Sequence, residues 1–524
     1  MPPMTAPVPT NEGLIRRLLA GYGIQGVNVT VMLLLQLLVI PIFLSYWGQQ
    51  VYGDWLTLSA AAGFMALADL GFGGALANHL RASWSRGDGV AFRRTIRMGL
   101  SVHAGLAVLA AVAVLILATG LDLPTRLGVA NQTDATAIFI LLCFTNLLTT
   151  PRWLFTTIYS ARGEFGREGS LNLLYYGGQI LVQGTSVVLG ATPVETAVAC
   201  LATSLLLGWT PLLVDLMRHH SDVPLRPQRP TLAELKDLTA KAPYYLVPAV
   251  ALSLQLQMPV VLLGMFAGSA AAVVFTTMRT FTGLTRQVTT QLFIVTSMEM
   301  ARQHDQQDKG GLLHLYAQSG RLIAGMTGLL AGLSLVLGPT FFALWTRGTI
   351  VFDPALASVF LGTILVLGPT FGCVWLLRHT DHPETVAAGF ALQTVLGITL
   401  CLLLLAAGLG PVGAALGVGV AELVAPGLQS MVVVGRLLRV QMLVVALPIY
   451  GTTVLALALG AGAALEAVRL APGSGIVGLG VAAGLWAVLV AVPAFALLLD
   501  ARQRTRFRRR LMGLIAALRR REPP

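Results

Sequence analysis

Charge is what this 524-residue sequence has least of. Asp, Glu, Lys and Arg together make up 11% of it, where a soluble domain carries about 25%. Hydrophobic residues make up 55%, and mean hydropathy is +0.76. A chain of this length could bury a large core in water, but it could not cover its outside with so few charges. Lipid is therefore the solvent for most of its surface. Acids are the scarcer sign, 23 against 35 basic residues, giving a formal net charge of +12. That excess does not point to nucleic acid, because the basic residues crowd the loops on one side of the membrane. The four cysteines, Cys143, Cys200, Cys373 and Cys401, lie in apolar runs without metal-type spacing. They read as small packing residues, and no metal or other cofactor is expected. There is no Asp-x-Asp pair, no histidine cluster, no nucleophile motif and no loop long enough for a catalytic domain. These gaps disfavour a membrane glycosyltransferase, ligase or polymerase, and the chain is not expected to be an enzyme.

What is present is apolar runs. A membrane span needs roughly 20 mostly apolar residues. Spans are predicted near 21–44, 51–77, 98–119, 135–160, 170–190, 194–216, 242–264, 270–298, 320–345, 352–376, 386–408, 411–434, 441–464 and 473–498. The start, MPPMTAPVPT, lacks a basic n-region, so the first run is expected to be a retained helix and not a signal peptide. With the N-terminus in the cytoplasm, inner segments hold 29 basic residues and outer loops hold Arg126, Arg347 and Arg469. Arg152, Arg279 and Arg286 fall inside spans. This asymmetry places both termini in the cytoplasm of a multi-pass bacterial inner-membrane protein. It also requires the Thr-rich segment 270–298 to cross, since its loss would put the basic tail outside. That tail, 500–524, reads as a basic amphipathic helix on anionic inner-leaflet lipids.

The chain repeats itself. TNEGLIRRLL (10–19) precedes span one and TLAELKDLTA (231–240) precedes span seven, at an offset of 221. In the second, Thr231 and Glu234 form a capping box that opens a short surface helix. SRGDGVAFRR and DQQDKGGLLH match at nearly the same offset, while Pro151 with Pro369 and Pro193 with Pro411 are each 218 apart. A six-span unit keeps both copies in one orientation, so they are expected to be parallel repeats with a cleft between them. The predicted fold is an all-α polytopic membrane protein of about 14 transmembrane helices, as two parallel six-helix lobes plus two extra C-terminal helices. The N-terminal lobe is 1–216 and the cytoplasmic linker with its surface helix 217–241. The C-terminal lobe is 242–434, spans 13 and 14 are 435–499, and the tail is 500–524.

Tyr52-Gly53-x-Trp55, Asp69-Leu70-Gly71-Phe72-Gly73 and Asn78 in span two resemble the start of bacterial polysaccharide flippases, a family of the multidrug/oligosaccharidyl-lipid/polysaccharide exporter superfamily. VIPIFLSYWG before them and GPVGAALGVGVAE in span twelve are similar to that family too. The resemblance covers roughly residues 14–435 in architecture, its motif is confined to spans one to three, and the second lobe matches in outline. It implies two six-helix lobes, often with two added helices. It also implies transport of polyprenyl-pyrophosphate-linked oligosaccharide from inner to outer leaflet for surface polysaccharide synthesis, alongside glycan-assembly proteins. A cation-coupled drug or toxin antiporter of the same superfamily is the alternative.

Charges within spans are costly and face a cavity or a partner. Arg279 and Arg286 lie about two turns apart on one face of span eight, roughly 10 Å along the axis. A cationic stripe there suits a pyrophosphate, because guanidinium forks phosphate oxygens in pairs. The opposing reading pairs both arginines with carboxylates such as Asp69 or Glu422, structurally. Asp69 and Glu422 are also candidates for an ion-coupling role. Arg152, after Pro151, extends the cationic surface or snorkels to the interface. Gln255 and Gln257 in span seven, and Gln25 and Asn28 in span one, carry amides for sugar hydroxyls. Of two alternate helix positions, at most one faces inward. Asp54, near the outer end of span two, is expected to be solvated.

Overall fold

The computed structural model describes residues 11–129, 134–379, 383–471, 473 and 475–498, with most side chains from residue 31 onward. Gln25 and Asn28 lie outside the described side chains, and the basic tail lies outside the described residues. The described residues hold no strand and are almost wholly helical. In chain order the helices are α1 (Asn11–Gly63), α2 (Phe72–Ser85), α3 (Gly89–Leu115), α4 (Leu123–Arg126), α5 (Ala135–Leu147), α6 (Thr149–Ala161), α7 (Phe165–Val188), α8 (Pro193–Thr203) and α9 (Thr210–His219). There follow α10 (Leu232–Ala267), α11 (Ser269–Asp305), α12 (Lys309–Trp345), α13 (Pro354–His379), α14 (Pro383–Ala406), α15 (Gly410–Glu422), α16 (Gln429–Leu438), α17 (Met442–Leu470) and α18 (Gly475–Leu498). A 3₁₀ segment, Phe64–Asp69, separates α1 from α2. π-Helical turns join α8 to α9 (Ser204–Trp209) and α15 to α16 (Leu423–Leu428).

The chain is a multi-pass membrane protein. Eleven helical stretches among the described residues are long and apolar enough to span a bilayer. The expected list is longer by three, and each difference has a cause. Spans one and two count once because α1 runs through both, broken at Gly48 (φ 72°, ψ 178°). Helices α7 and α11, of 24 and 37 residues, are long enough but too polar for a hydropathy criterion alone. Leucines and valines exposed along the spans, such as Leu34, Leu38, Val108 and Leu109, would be untenable in water and are ordinary in lipid.

Residues 11–280 and 390–418, where described, form one compact unit; 281–389 and 419–498 form the other. The first unit packs α2, α3, α6 and α9 around Leu76, Leu80, Phe92, Ile96, Leu154 and Tyr159. Its linker is pinned: Gln228 N donates to the Arg97 carbonyl (3.1 Å) and Ser101 Oγ to the Gln228 carbonyl (2.7 Å). The predicted capping box forms, with Glu234 accepting from Thr231 N at 2.8 Å. The second unit packs α12, α13, α16 and α17 around Tyr316, Leu376, Met431 and Ile449.

Irregular backbone recurs at the repeat's offset. Gly48 and Gly268, both at positive φ, are offset by 220, as are Gly87 and Gln307, and Gly128 and Gly348. Gly190 and Gly408, again at positive φ, are offset by 218. Asp88 and Asp308 cap α3 and α12 with matching backbone angles (φ −83°, ψ 80° and φ −85°, ψ 79°), each accepting from a backbone N–H three positions on. Two of the three π-helical turns among the described residues, Ser204–Trp209 and Leu423–Leu428, are offset by 219, while the third, Ile116–Gly120, follows α3. These matched irregularities, in one order and at nearly one spacing, are the backbone's counterpart of the proline matches.

Candidate functional site

Span two is not one helix. Leu70 (φ 50°) and Gly71 (φ 80°) are both left-handed, and α2 restarts beyond them. Asp69 holds this break: its carboxylate accepts from Gly71 N (3.0 Å) and Gly73 N (3.2 Å), donors that a helix start leaves orphaned. Glycine is required at these positions by close approach. A Cβ on Gly71 would sit 2.4 Å from the Ala242 carbonyl, and one on Gly74 2.6 Å from the Tyr245 ring. Gly53 meets the Ser269 carbonyl in the same way, at 2.4 Å. Asn78 Nδ2 donates to Tyr245 Oη at 2.5 Å. The motif in span two is thus a seam against α10 and the start of α11. Asp54 belongs to it. The expectation that Asp54 is solvated is corrected, since it is 3% exposed and accepts from Ser269 Oγ.

Beside the break lies a cavity of about 680 Å³, lined wholly by residues of the first unit. Aromatic rings from α1 (Phe43, Tyr52, Trp55), α6 (Trp153) and α7 (Tyr175, Tyr176) wall it. Asn146, Gln179, Gln183 and Gln257 supply amides, several Ser and Thr supply hydroxyls, and Asp69 is its one ionisable carboxylate among the lining residues. Of the two glutamines in span seven, Gln257 lines this cavity, its amide packed on Gly63. Gln255 is half-buried.

Arg152 is 2% exposed. Its Nε donates to the Gly208 carbonyl (3.2 Å), Nη1 to Asn172 Oδ1 (2.9 Å) and Nη2 to the Leu171 carbonyl (2.9 Å). Its guanidinium lies 4.5 Å from the centre of the Tyr175 ring. Arg152 therefore backs the aromatic wall from outside the cavity. On α11 the two arginines take different partners. Arg279 Nη1 donates to the Leu256 carbonyl (2.6 Å), and its guanidinium lies 5.4 Å from the centre of the Phe275 ring. Arg286 forms a fork with Glu422, Nη1 to Oε2 at 2.9 Å and Nη2 to Oε1, with the Glu422 side chain 8% exposed. Glu422 is the last residue before the π-helical turn Leu423–Leu428. Among the described residues no three His, Cys, Asp or Glu come together as a metal site.

Asp69, Arg152, Arg279, Arg286 and Glu422 stand out in the sequence by their charge within spans. Trp153, Tyr176 and Gln179, which line the cavity, carry no such signal, being neutral residues within apolar runs.

No protein-family model matches the chain, and no curated protein matches it in sequence. Solved structures do match it in fold. One is described as a lipid II flippase MurJ in an inward closed conformation (TM-score 0.64, 11% identity, covering 90% of this chain and 99% of that one). Another is an inward-facing multidrug resistance MATE family transporter of the MOP superfamily (TM-score 0.61, 15% identity, 81% and 98%). A third is an outward-facing structure of such a transporter (TM-score 0.53, 16% identity, 79% and 96%). At these identities the likeness concerns the fold: this chain has the fold of the MATE and MurJ transporters over most of its length.

Proposed function

We propose that this chain moves a polyprenyl-pyrophosphate-linked oligosaccharide across the bacterial inner membrane by alternating access, for surface polysaccharide synthesis. The observation that carries the reading is the condition of the two intramembrane acids. Asp69 accepts from two backbone N–H groups, and Glu422 is forked by Arg286. A cationic drug or a coupling ion would have to compete with those bonds. A neutral polar glycan would not, and the cavity beside Asp69 offers it rings, amides and hydroxyls. The shared fold with a lipid II flippase supports a lipid-linked substrate.

In this reading Arg279 and Arg286 bind the pyrophosphate, Arg286 by exchanging carboxylate oxygens for phosphate oxygens of similar geometry. Gln255 serves a sugar hydroxyl, and Arg152 holds the wall on which sugars pack. The lobes are 1–216 and 242–434, and the basic-residue asymmetry favours cytoplasmic termini. The antiporter reading keeps one observation in its favour: Asp69 does line the cavity.

The test is glycan export in cells carrying Arg279→Ala, Arg279→Lys, or the paired Arg286→Ala with Glu422→Ala. Export should be lost in both alanine variants at normal protein levels, with lipid-linked glycan accumulating, and Lys should retain part of it. Normal export from both alanine variants would remove the arginines from the site. Efflux of ethidium by the wild type, with no effect on glycan, would favour the antiporter.

A further inference from the structure

We infer that the cavity of the first unit is a carbohydrate chamber for an uncharged sugar. Trp153 and Tyr176 serve as its stacking platforms, and the Gln179 side-chain carbonyl accepts from a sugar hydroxyl or amide N–H. The inference rests on the transport reading above and adds to it the class of glycan.

The size fits: about 680 Å³ lies within the roughly 300–1,000 Å³ of small-ligand sites. The charge fits a neutral occupant. No Lys or Arg is among the lining residues, and the lining acid, Asp69, already accepts two backbone hydrogen bonds. An anionic sugar would meet carbonyls and a carboxylate there without a cation to offset them.

The aromatic wall divides into rings that are occupied and rings that are open. Tyr175 is 3% exposed, its hydroxyl is within hydrogen-bonding distance of Thr149 (3.0 Å) and Ser204 (3.3 Å), and Arg152 covers its face. Trp153 and Tyr176 line the same cavity and are each 41% exposed, even though Tyr176 has the Tyr175 ring 4.8 Å and the Arg152 guanidinium 6.0 Å from its centre. The C–H faces of a pyranose pack on such open faces, while its hydroxyls need amide and hydroxyl partners around the rim.

Gln179 supplies the independent observation. Its side chain is about nine-tenths buried (8% exposed), and Nε2 donates to the Cys200 carbonyl (2.8 Å) and Ser204 Oγ (2.8 Å). Its Oε1 is buried and meets no donor. Exchanging the amide's N and O would set two carbonyls against each other at Cys200, so the orientation is dictated. A buried acceptor without a donor is unfavourable until something supplies one. Oε1 itself is closed off from the cavity in this state, so a ligand there reaches it only as the Gln179 side chain, which lines the cavity, turns towards it.

The test uses the purified full chain in nanodiscs and two probes, undecaprenyl diphosphate and undecaprenyl diphosphate carrying one N-acetylglucosamine. Gln179→Leu and Trp153→Ala should each weaken the sugar-bearing probe about tenfold, the scale of one lost hydrogen bond or stacking contact. Both should bind the bare diphosphate within a factor of two of wild type, and Trp153→Phe should restore sugar binding. Equal losses on both probes would mean a packing role and overturn the inference, as would unchanged binding of both. Trp153-dependent binding of ethidium with no preference for the sugar-bearing probe would make the cavity a cation site, also against it. A wild type that binds neither lipid would instead remove the transport reading on which the inference rests.

Discussion

Helices α3 and α12 hold the same place in the two copies of the repeat, and they face different surroundings. Each begins at a capping aspartate, Asp88 or Asp308, offset by 220 in the sequence. At that offset Val108 and Val112 of α3 correspond to Gly328 and Gly332 of α12. The valines are exposed, at 64% and 50%. The glycines are buried, and a Cβ on Gly332 would stand 2.5 Å from Ala461 N and 2.6 Å from the Leu457 carbonyl. Gly460 meets the Leu329 carbonyl in return, and Trp486 of α18 donates to the Gly460 carbonyl at 3.0 Å. Lipid gives two apolar helices no hydrophobic reason to associate, so close backbone packing must do it. The second copy carries α17 and α18 because α12 has shed its side chains along one face.

The interiors differ as well. Ser59 and Ala66, on the cavity wall, correspond at the same offset to Arg279 and Arg286. Thr203 precedes the π-helical turn Ser204–Trp209 where Glu422 precedes Leu423–Leu428, at an offset of 219. One copy keeps a chamber without a lining cation where the other holds an ion pair. The largest expected effect follows from that pair. Glu422→Leu leaves Arg286 without its carboxylate and should cost about 3–5 kcal/mol, whereas replacing both by apolar residues should recover most of it. Thermal unfolding of both variants in detergent checks this. A double variant no better than the single one would mean that the pair does not act as a unit.

Next in size, Gly332→Leu should part α17 from α12, a clash at or above the roughly 1–3 kcal/mol of ordinary overpacking because backbone cannot yield. The expected readout is new protease cleavage in α17, or new thiol-reagent access at a cysteine introduced there, with the first unit unchanged. Val112→Leu, its counterpart in the other copy, should be neutral. Equal behaviour of the two would remove the distinction between covered and lipid-facing helices.

How much of this was legible depends on what each feature costs. Apolar runs and loop charge have large energies, so the all-α polytopic class, the weakly apolar α11 and the capping box at Thr231 and Glu234 could be read directly. The intramembrane charges were visible for the same reason, but not their partners. A spacing of seven says that Arg279 and Arg286 share a helix face, not that one meets a carbonyl and the other Glu422. The break at Leu70 escaped because a leucine in left-handed backbone is held by Asp69 and by packing on α10, which local sequence does not encode. The π-helical turns likewise have no residue signature of their own. Gln179 and Trp153 were hidden because a lone amide or ring in an apolar run is usually packing.

The break itself sets the third prediction. Span two is interrupted at Leu70 and Gly71, while its counterpart in the other copy, α11, is unbroken from Ser269 to Asp305. Gly71→Ala adds a Cβ at φ 80°, 2.4 Å from the Ala242 carbonyl, and should cost about 1–3 kcal/mol. Gly283→Ala, where a Cβ meets nothing within 4 Å, should be neutral or mildly stabilising by unfolding temperature. A tolerated Gly71→Ala would show that the interruption is incidental.

The smallest effect lies on the surface and separates two capping boxes of the same design. In each, a threonine hydroxyl accepts from the glutamate N–H three positions on, Thr192 with Glu195 and Thr231 with Glu234. Glu234 alone of the two also meets an arginine, Arg94 Nε at 2.5 Å. That hydrogen bond, then the Thr231 N–H, holds the Glu234 carboxyl down at about 2, against about 4.3 in an unfolded chain. The folded-state value is depressed, so the contribution is complete above about pH 4.3 and is lost as the pH falls towards 2. Arg94 is 51% exposed, so solvent limits the pair to about 1 kcal/mol or less, and salt should weaken it further. Glu234→Gln should therefore unfold slightly earlier than wild type at pH 6 and low salt. The gap should narrow with added salt and close between pH 4 and pH 2. Glu195→Gln, which keeps a cap without an arginine, should show no salt-dependent gap. A Glu234→Gln deficit that survives unchanged to pH 2 would mean that the amide disturbs packing, and the Arg94 contact would then carry none of the difference between the boxes.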